Sequence, residues 1–150
     1  MILADTSVWI DHFQSGGHGL TELLERNLVL THPFVVGELA CGNLKERENV
    51  LHLLKRLPEV RKATDSEVFD LIERRNLAGR GIGFTDAHLL AGCLLTPGTV
   101  FWTLDPKAAA AARILKIAFE ESRMDLTEYI QSALAGLPIR EAILFGSRAE

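Results

Sequence analysis

The sequence predicts an α/β domain built on a central parallel sheet of about four to five strands, with helices on both faces. Three observations predict it. Short apolar runs of strand length recur along the chain, longer segments with helical spacing follow them, and cap or turn residues stand at the junctions. A fully apolar run without in–out alternation suits a strand covered on both faces, the usual setting of parallel sheets. With 150 residues, 47% of them hydrophobic, the chain has the size of one compact domain and enough apolar side chains for a core. It needs no metal or disulfide merely to stay folded, so a metal site in it would be there for chemistry.

The elements follow in order. Met1 to Ala4 is a buried strand ending at Asp5, and Ser7 to Phe13 is a short helix. Gly16, Gly17 and Gly19 mark a loop before a helix from Leu20 to Asn27. Leu28 to Leu30 is the second strand; His32-Pro33 then starts a helix running to about Cys41, because proline fits the first turn. Lys45 to Leu57 is helical, with Val50, Leu51, Leu53, Leu54 and Leu57 largely on one side. Glu59 to Ala63 is a weak third strand, and Ser66 caps a helix reaching about Ala78. Gly79, Gly81 and Gly83 form a flexible loop, after which Thr85 caps an apolar helix from Asp86 to Leu95. Pro97-Gly98 turns the chain into the clearest internal strand, Val100 to Leu104. Asp105-Pro106 is a cap followed by proline at the first helical position, opening a helix from Lys107 to about Ile114. Lys116 to Phe119 is a fifth short strand.

Composition excludes several classes. Cys41 and Cys93 form no Cys-x-x-Cys pair, which argues against structural zinc; their apolar helical settings predict buried free thiols, as in a reducing cytosol. The N-terminal segment lacks the basic start and long apolar stretch of a signal peptide, and no run approaches the ~20 apolar residues of a membrane span. A cytoplasmic protein is expected. The net charge of −4 does not favour nucleic acid through bulk electrostatics, so a nucleic-acid enzyme here would depend on local basic clusters or bound cations.

Ligands of open parallel α/β sheets bind beyond the carboxyl ends of the strands. That rule selects Asp5 at the end of the first strand, Asp105 at the end of the clearest later one, Asp86 opening the helix before it, and Glu38 in the helix after the second strand. Carboxylates brought together repel and raise one another's pKa, so such a set requires something positive within it. Oxygen-only donors suit Mg²⁺ or Mn²⁺ rather than zinc. A cation so held orients a water, lowers its pKa and offsets charge on a phosphoryl transition state. Taken singly, Asp86 also fits a first-turn helix acid and Asp105 a simple N-cap, and spacing alone leaves both readings open. The five histidines show no paired metal-ligand spacing; a surface or structural role is expected of each, which disfavours a histidine-based ribonuclease mechanism.

At these residues the chain resembles the PIN-domain ribonucleases, in particular the VapC-like toxins of toxin–antitoxin pairs. Asp5-Thr6-Ser7-Val8-Trp9-Ile10-Asp11 resembles their opening segment, and Val36-Gly37-Glu38-Leu39 the segment with their glutamate. Thr85-Asp86-Ala87-His88 resembles the segment with their third acid, and Trp102-Thr103-Leu104-Asp105 that with their fourth. The resemblance spans about residues 1–120. It implies an α/β/α sandwich, Mg²⁺- or Mn²⁺-dependent hydrolysis of RNA phosphodiesters, a homodimer, and a small antitoxin that blocks the site. It assigns Asp5, Glu38, Asp86 and Asp105 as the acidic metal-binding set and Thr6 and Thr103 as polar supports for water or substrate. Ser7 is a weaker support that also fits a cap of the first helix. Among the basic clusters, Arg74, Arg75 and especially Arg80 flank the glycine loop leading to Asp86 and are the candidates for guiding RNA.

Residues 121–150 form a C-terminal helical extension beyond the 1–120 nuclease-like domain. Leu126, Tyr129, Ile130, Ala133, Leu134 and Leu137 make one apolar stripe, for packing on the core or for docking a second protomer or partner. The segment from Ile139 to Glu150 resembles the start of a minimal nucleotidyltransferase but carries no catalytic aspartate pair, and Met124 is compatible with the start of another reading frame. Two other functions stay in view: a non-catalytic RNA- or protein-binding module on the same scaffold, and a metal-dependent phosphatase. The phosphatase would want an aspartate two positions after Asp5, where Ser7 stands.

Overall fold

The computed structural model describes residues 1–16, 19–119, Ile130 and Leu134. Its three strands, β1 (Ile2–Ala4), β2 (Val29–Leu30) and β3 (Val100–Trp102), form one parallel sheet in the order β2-β1-β3. Ile2 faces Val29 on one side and Val100 on the other, and Leu3 sits between Leu30 and Phe101. All eight strand residues are buried, which is why β1 shows no alternation: both its faces are covered.

Two expected strands shrink to single bridges at the sheet's edges. Glu59 bridges Thr31 beyond β2, and Ala118 bridges Phe101 beyond β3. Five segments thus lie side by side, but only three form strands. At the Glu59 edge the backbone contacts are confined to the Thr31 N–H donating to Pro58 and the Val60 N–H donating to Thr31. Pro58 offers a carbonyl but no N–H, so the ladder cannot extend that way.

Among the described residues seven helices surround the sheet: α1 (Thr6–Ser15), α2 (Leu20–Glu25), α3 (Pro33–Cys41), α4 (Arg47–Arg56), α5 (Asp65–Arg74), α6 (Phe84–Leu95) and α7 (Pro106–Ile114). Thr64, not Ser66, caps α5: its hydroxyl accepts from the Glu67 N–H while the Glu67 carboxylate accepts from the Thr64 N–H. This reciprocal box satisfies two otherwise orphaned donors, and Glu67's carboxyl is held below its ordinary range chiefly by those bonds. α5 ends at Arg74 rather than Ala78, because Asn76 takes a left-handed conformation (φ 53°) and Leu77 folds back to the Ile72 carbonyl. Likewise α6 is capped from Gly83 and starts at Phe84, one residue ahead of the expected Thr85 cap. Asp105 and Pro106 open α7 as the sequence suggests.

The core joins the sheet to Val8, Trp9, Leu20, Val35, Leu39, Leu54, Leu90 and Ala108, with Ile130 buried in the same cluster. Leu134, the other described residue of the expected C-terminal stripe, is exposed rather than packed on the core; the rest of the stripe and the segment 139–150 lie outside the described residues. Both cysteines are free thiols, but Cys41 is exposed at the end of α3, against expectation; Cys93 is buried and its thiol is pushed up far above the usual range by desolvation. Among the described residues, no helix is long and apolar enough to cross a membrane.

Candidate active site at the carboxyl edge of the sheet

Where β1 ends, the Asp5 N–H donates to the Trp102 carbonyl of β3, so the chain leaves the sheet with Asp5 still tied to the neighbouring strand. Its side chain is only 6% exposed. Asp5 then serves as the N-cap of α1. One carboxylate oxygen, Oδ1, accepts from the Ser7 N–H (3.0 Å), the Val8 N–H (3.3 Å) and the Ser7 hydroxyl; the other, Oδ2, accepts from the Thr103 hydroxyl. Burial pushes the Asp5 carboxyl up, and the bonds from Ser7, Thr103 and Val8 oppose that shift without cancelling it.

Ser7 and Thr103 also pin the two strand ends together. The Ser7 hydroxyl accepts from the Leu104 N–H at 2.9 Å, and the Thr103 hydroxyl accepts from the Asp105 N–H at 3.1 Å. Each hydroxyl gives its single proton to Asp5 and receives a backbone N–H from the turn after β3. Ser7 is therefore not the cap of α1; it is a brace between residues 5 and 104, a role its position two residues after Asp5 did not reveal.

Asp86 stands on the first turn of α6, where its carboxylate accepts from the Gly83 N–H at 3.4 Å. Its carboxyl is raised, first by burial and then by the charges of Asp5, Asp105 and Glu38, all three of which act on it. Asp105 caps α7 by accepting from the Lys107 N–H at 3.2 Å. Glu38 is exposed on α3, whose buried face is Val35 and Leu39 one turn apart. Its apolar sequence neighbours do not enclose it; it lines a cleft of about 710 Å³ with Ile10, Phe13, Leu44, Lys45 and Val50. The four carboxylates thus share one electrostatic neighbourhood beyond the strand ends. Among the described residues, no three His, Cys, Asp or Glu side chains stand close enough to hold a metal ion by themselves.

The supporting residues divide. Thr103 is bonded to Asp5, whereas the Thr6 hydroxyl oxygen is buried with no hydrogen-bond partner among the described residues. The Arg80 Nε donates to the Asn76 carbonyl at 2.6 Å, and Arg75 donates to the Ile114 carbonyl at 3.4 Å; Arg74 is exposed at the end of α5.

Two histidines, His32 and His88, are buried. His32 caps α3, its Nδ1 accepting from the Phe34 N–H at 2.9 Å, and desolvation, with His88 and Lys62 adding to it, lowers its pKa to about 4. His88 Nε2 meets the Asp65 carboxylate at 3.0 Å and its ring lies edge-on to Phe34 and Phe84. Asp86 and His88 on the same helix thus serve different surroundings, as positions two apart must.

The PIN domain family matches residues 2–114 of the chain. Ribonuclease VapC32 from two strains of Mycobacterium tuberculosis is 43% identical over 121 residues, covering 81% of this chain and 98% of the relative.

Proposed function

The chain belongs to the PIN domain family, and on that premise we propose that it is a metal-dependent endoribonuclease, the toxin of a toxin–antitoxin pair acting in the cytoplasm. The observation that carries the reading is Asp86 at the start of α6, whose carboxyl is raised first by burial and then by the charges of Asp5, Asp105 and Glu38. Like charges gathered from four distant segments destabilise the site unless a cation compensates them. An all-oxygen donor set fits Mg²⁺ or Mn²⁺. Mg²⁺ ordinarily uses one or two carboxylates and completes its shell with water and substrate phosphate, so it does not require a three-carboxylate cage, and none is present among the described residues. When bound, the cation supplies charge neutralisation and activation of water at the phosphodiester.

The chain's own residues supply the rest. Ser7 and Thr103 fix the Asp5 carboxylate; Asp86 and Asp105 present theirs from two helix starts, and Glu38 closes the set from α3. Thr6 is the remaining candidate support at the same edge; its hydroxyl oxygen is buried without a hydrogen-bond partner among the described residues, which suits an enclosed water rather than open solvent. The cleft beside Glu38, with Ile10 and Phe13 exposed in its wall, suits an apolar antitoxin segment whose binding would cover Glu38. A second copy of the chain fits a different face. There Phe69 and Phe84 are stacked with ring centroids 5.2 Å apart, though 59% and 42% exposed. Asp65, Glu67 and Asp70 lie on α5 and the charge of Arg61 acts on Glu67, so both signs are present near the patch, as a self-complementary contact would need.

The test is purified protein on structured RNA with Mg²⁺, Mn²⁺ or EDTA, beside Asp5→Asn. Cleavage that needs the cation and disappears in the variant is the expected result. Stable RNA binding without cleavage would replace the enzyme with a binding module, and hydrolysis of small phosphate esters without RNA cleavage would replace it with a phosphatase.

A further inference from the structure

The carboxylate edge is negative, and the chain as a whole carries −4, so an RNA backbone approaching it needs a positive group on the protein beside any bound cation. Lys107 occupies that position. Its own N–H holds the Asp105 carboxylate, which places the residue in the first turn of α7. Its side chain crosses to the glycine loop before Asp86. A Cβ built on Gly81 would lie 2.5 Å from Lys107 Cδ and 3.2 Å from both Cε and Nζ, so the aliphatic stem rests directly on the Gly81 backbone. Gly81 has φ +81° and no side chain to obstruct that contact. Two residues later, Gly83 donates to Asp86. Lys107 therefore spans the gap between the helix start that presents Asp105 and the loop that presents Asp86.

Its charge is not spent. Among the described residues, no carboxylate lies within 4.0 Å of the Lys107 amine. By contrast Arg75 and Arg80 each commit a guanidinium N–H to a backbone carbonyl. An ammonium held by its stem, beside carboxylates yet not paired with one, is poised for an anion arriving from outside; lysine binds phosphate as such a point charge. We propose that Lys107 binds a backbone phosphate of the RNA adjacent to the scissile one. This rests on the endoribonuclease reading above and adds a substrate-binding residue to it.

The probe is a fluorescently labelled single-stranded RNA. Binding is measured against salt in the Asp86→Asn background, and cleavage in the otherwise unaltered protein. Lys107→Met keeps the stem over Gly81 and removes the charge; Lys107→Arg keeps the charge. Loss of one phosphate contact on a single strand should flatten the log–log salt slope by about 0.7 and weaken binding about fivefold at 0.1 M salt. In cleavage that loss appears in KM, with kcat within about twofold, and the melting temperature stays put. Lys107→Arg should retain the slope. If Met proves destabilising, Lys107→Gln is read in its place. An unchanged KM and slope in the charge-less variant, with RNA still cleaved, overturns this proposal alone, as does an equal loss in Lys107→Arg. A protein that neither binds nor cleaves RNA overturns the endoribonuclease reading and this proposal with it.

Discussion

Ser7, Thr103 and Asp5 form a small network in which every proton is assigned, and its behaviour on substitution follows from that assignment. Ser7→Ala removes a donor to Asp5 and strands the Leu104 N–H. Losing one bond to a buried charge and orphaning a backbone donor should cost about 1–3 kcal/mol, read as a lower melting temperature. Activity should fall about 10–100-fold, the usual effect of removing a group that orients a metal-binding carboxylate. Thr103→Val should behave alike while Thr103→Ser is spared. Asp86 responds in the opposite direction. Its folded-state pKa is raised by burial and by three neighbouring acids, so its ionised form opposes folding, and stability declines as pH rises from its unfolded value through the raised one. Asp86→Asn keeps an acceptor for Gly83 and should raise the melting temperature by a few degrees while abolishing cleavage. Mg²⁺ or Mn²⁺ should stabilise the native protein, by about 2.7 kcal/mol at a hundredfold excess over its Kd, and do far less for that variant; equal stabilisation of both would detach Asp86 from cation binding. At this scale the placement of Asp5 directly after a buried apolar strand and of Asp105 as a helix cap was legible in the sequence. The brace formed by Ser7 and the reach of Lys107 were not, since both depend on contacts between residues about 100 and 26 positions apart. The exposure of Glu38 was not legible either, because apolar neighbours in sequence do not enclose a residue on the outer side of a helix.

The helices show where local signals decide and where they compete. Around α5 both Thr64 and Ser66 are plausible caps, and only Thr64 has a glutamate three residues on, at Glu67, to return the bond. Thr64→Ala should cost about 1 kcal/mol, whereas Ser66→Ala should be nearly silent in thermal or denaturant unfolding. The same spacing explains α6, where Asp86 reaches back three residues to Gly83 and draws the helix start ahead of Thr85. α7 was fully legible, since Asp105-Pro106 combines a side-chain acceptor with a residue that needs no hydrogen bond for its nitrogen. The edge strands were not, because an apolar run beside a sheet gives no sign of how many ladder bonds its backbone will make; Pro58 is the one local hint.

For the whole molecule, fold class follows from the alternation of buried strands and helices, while the strand order β2-β1-β3 and the coupling of stability to pH depend on packing and burial that sequence conceals. His32 is fully buried beside His88 and Lys62, and its pKa lies near 4 rather than 6.5. The folded protein therefore binds fewer protons than the unfolded chain between those values, and stability should fall as pH drops from about 6.5 to about 4. His32→Asn, which can still accept from the Phe34 N–H, should flatten the curve in that window relative to the native chain; parallel curves would show that His32 titrates normally. The middle strand of the sheet is made by residues 2–4, and one of its two partners is made by residues 100–102. On the ribosome, then, the middle strand emerges about 100 residues ahead of this partner and waits about 5–20 s for it at ordinary elongation speeds. Until residue 105 has left the exit tunnel the proposed centre lacks one wall, so an unfinished copy still attached to its message carries no completed cutting site to turn against that message.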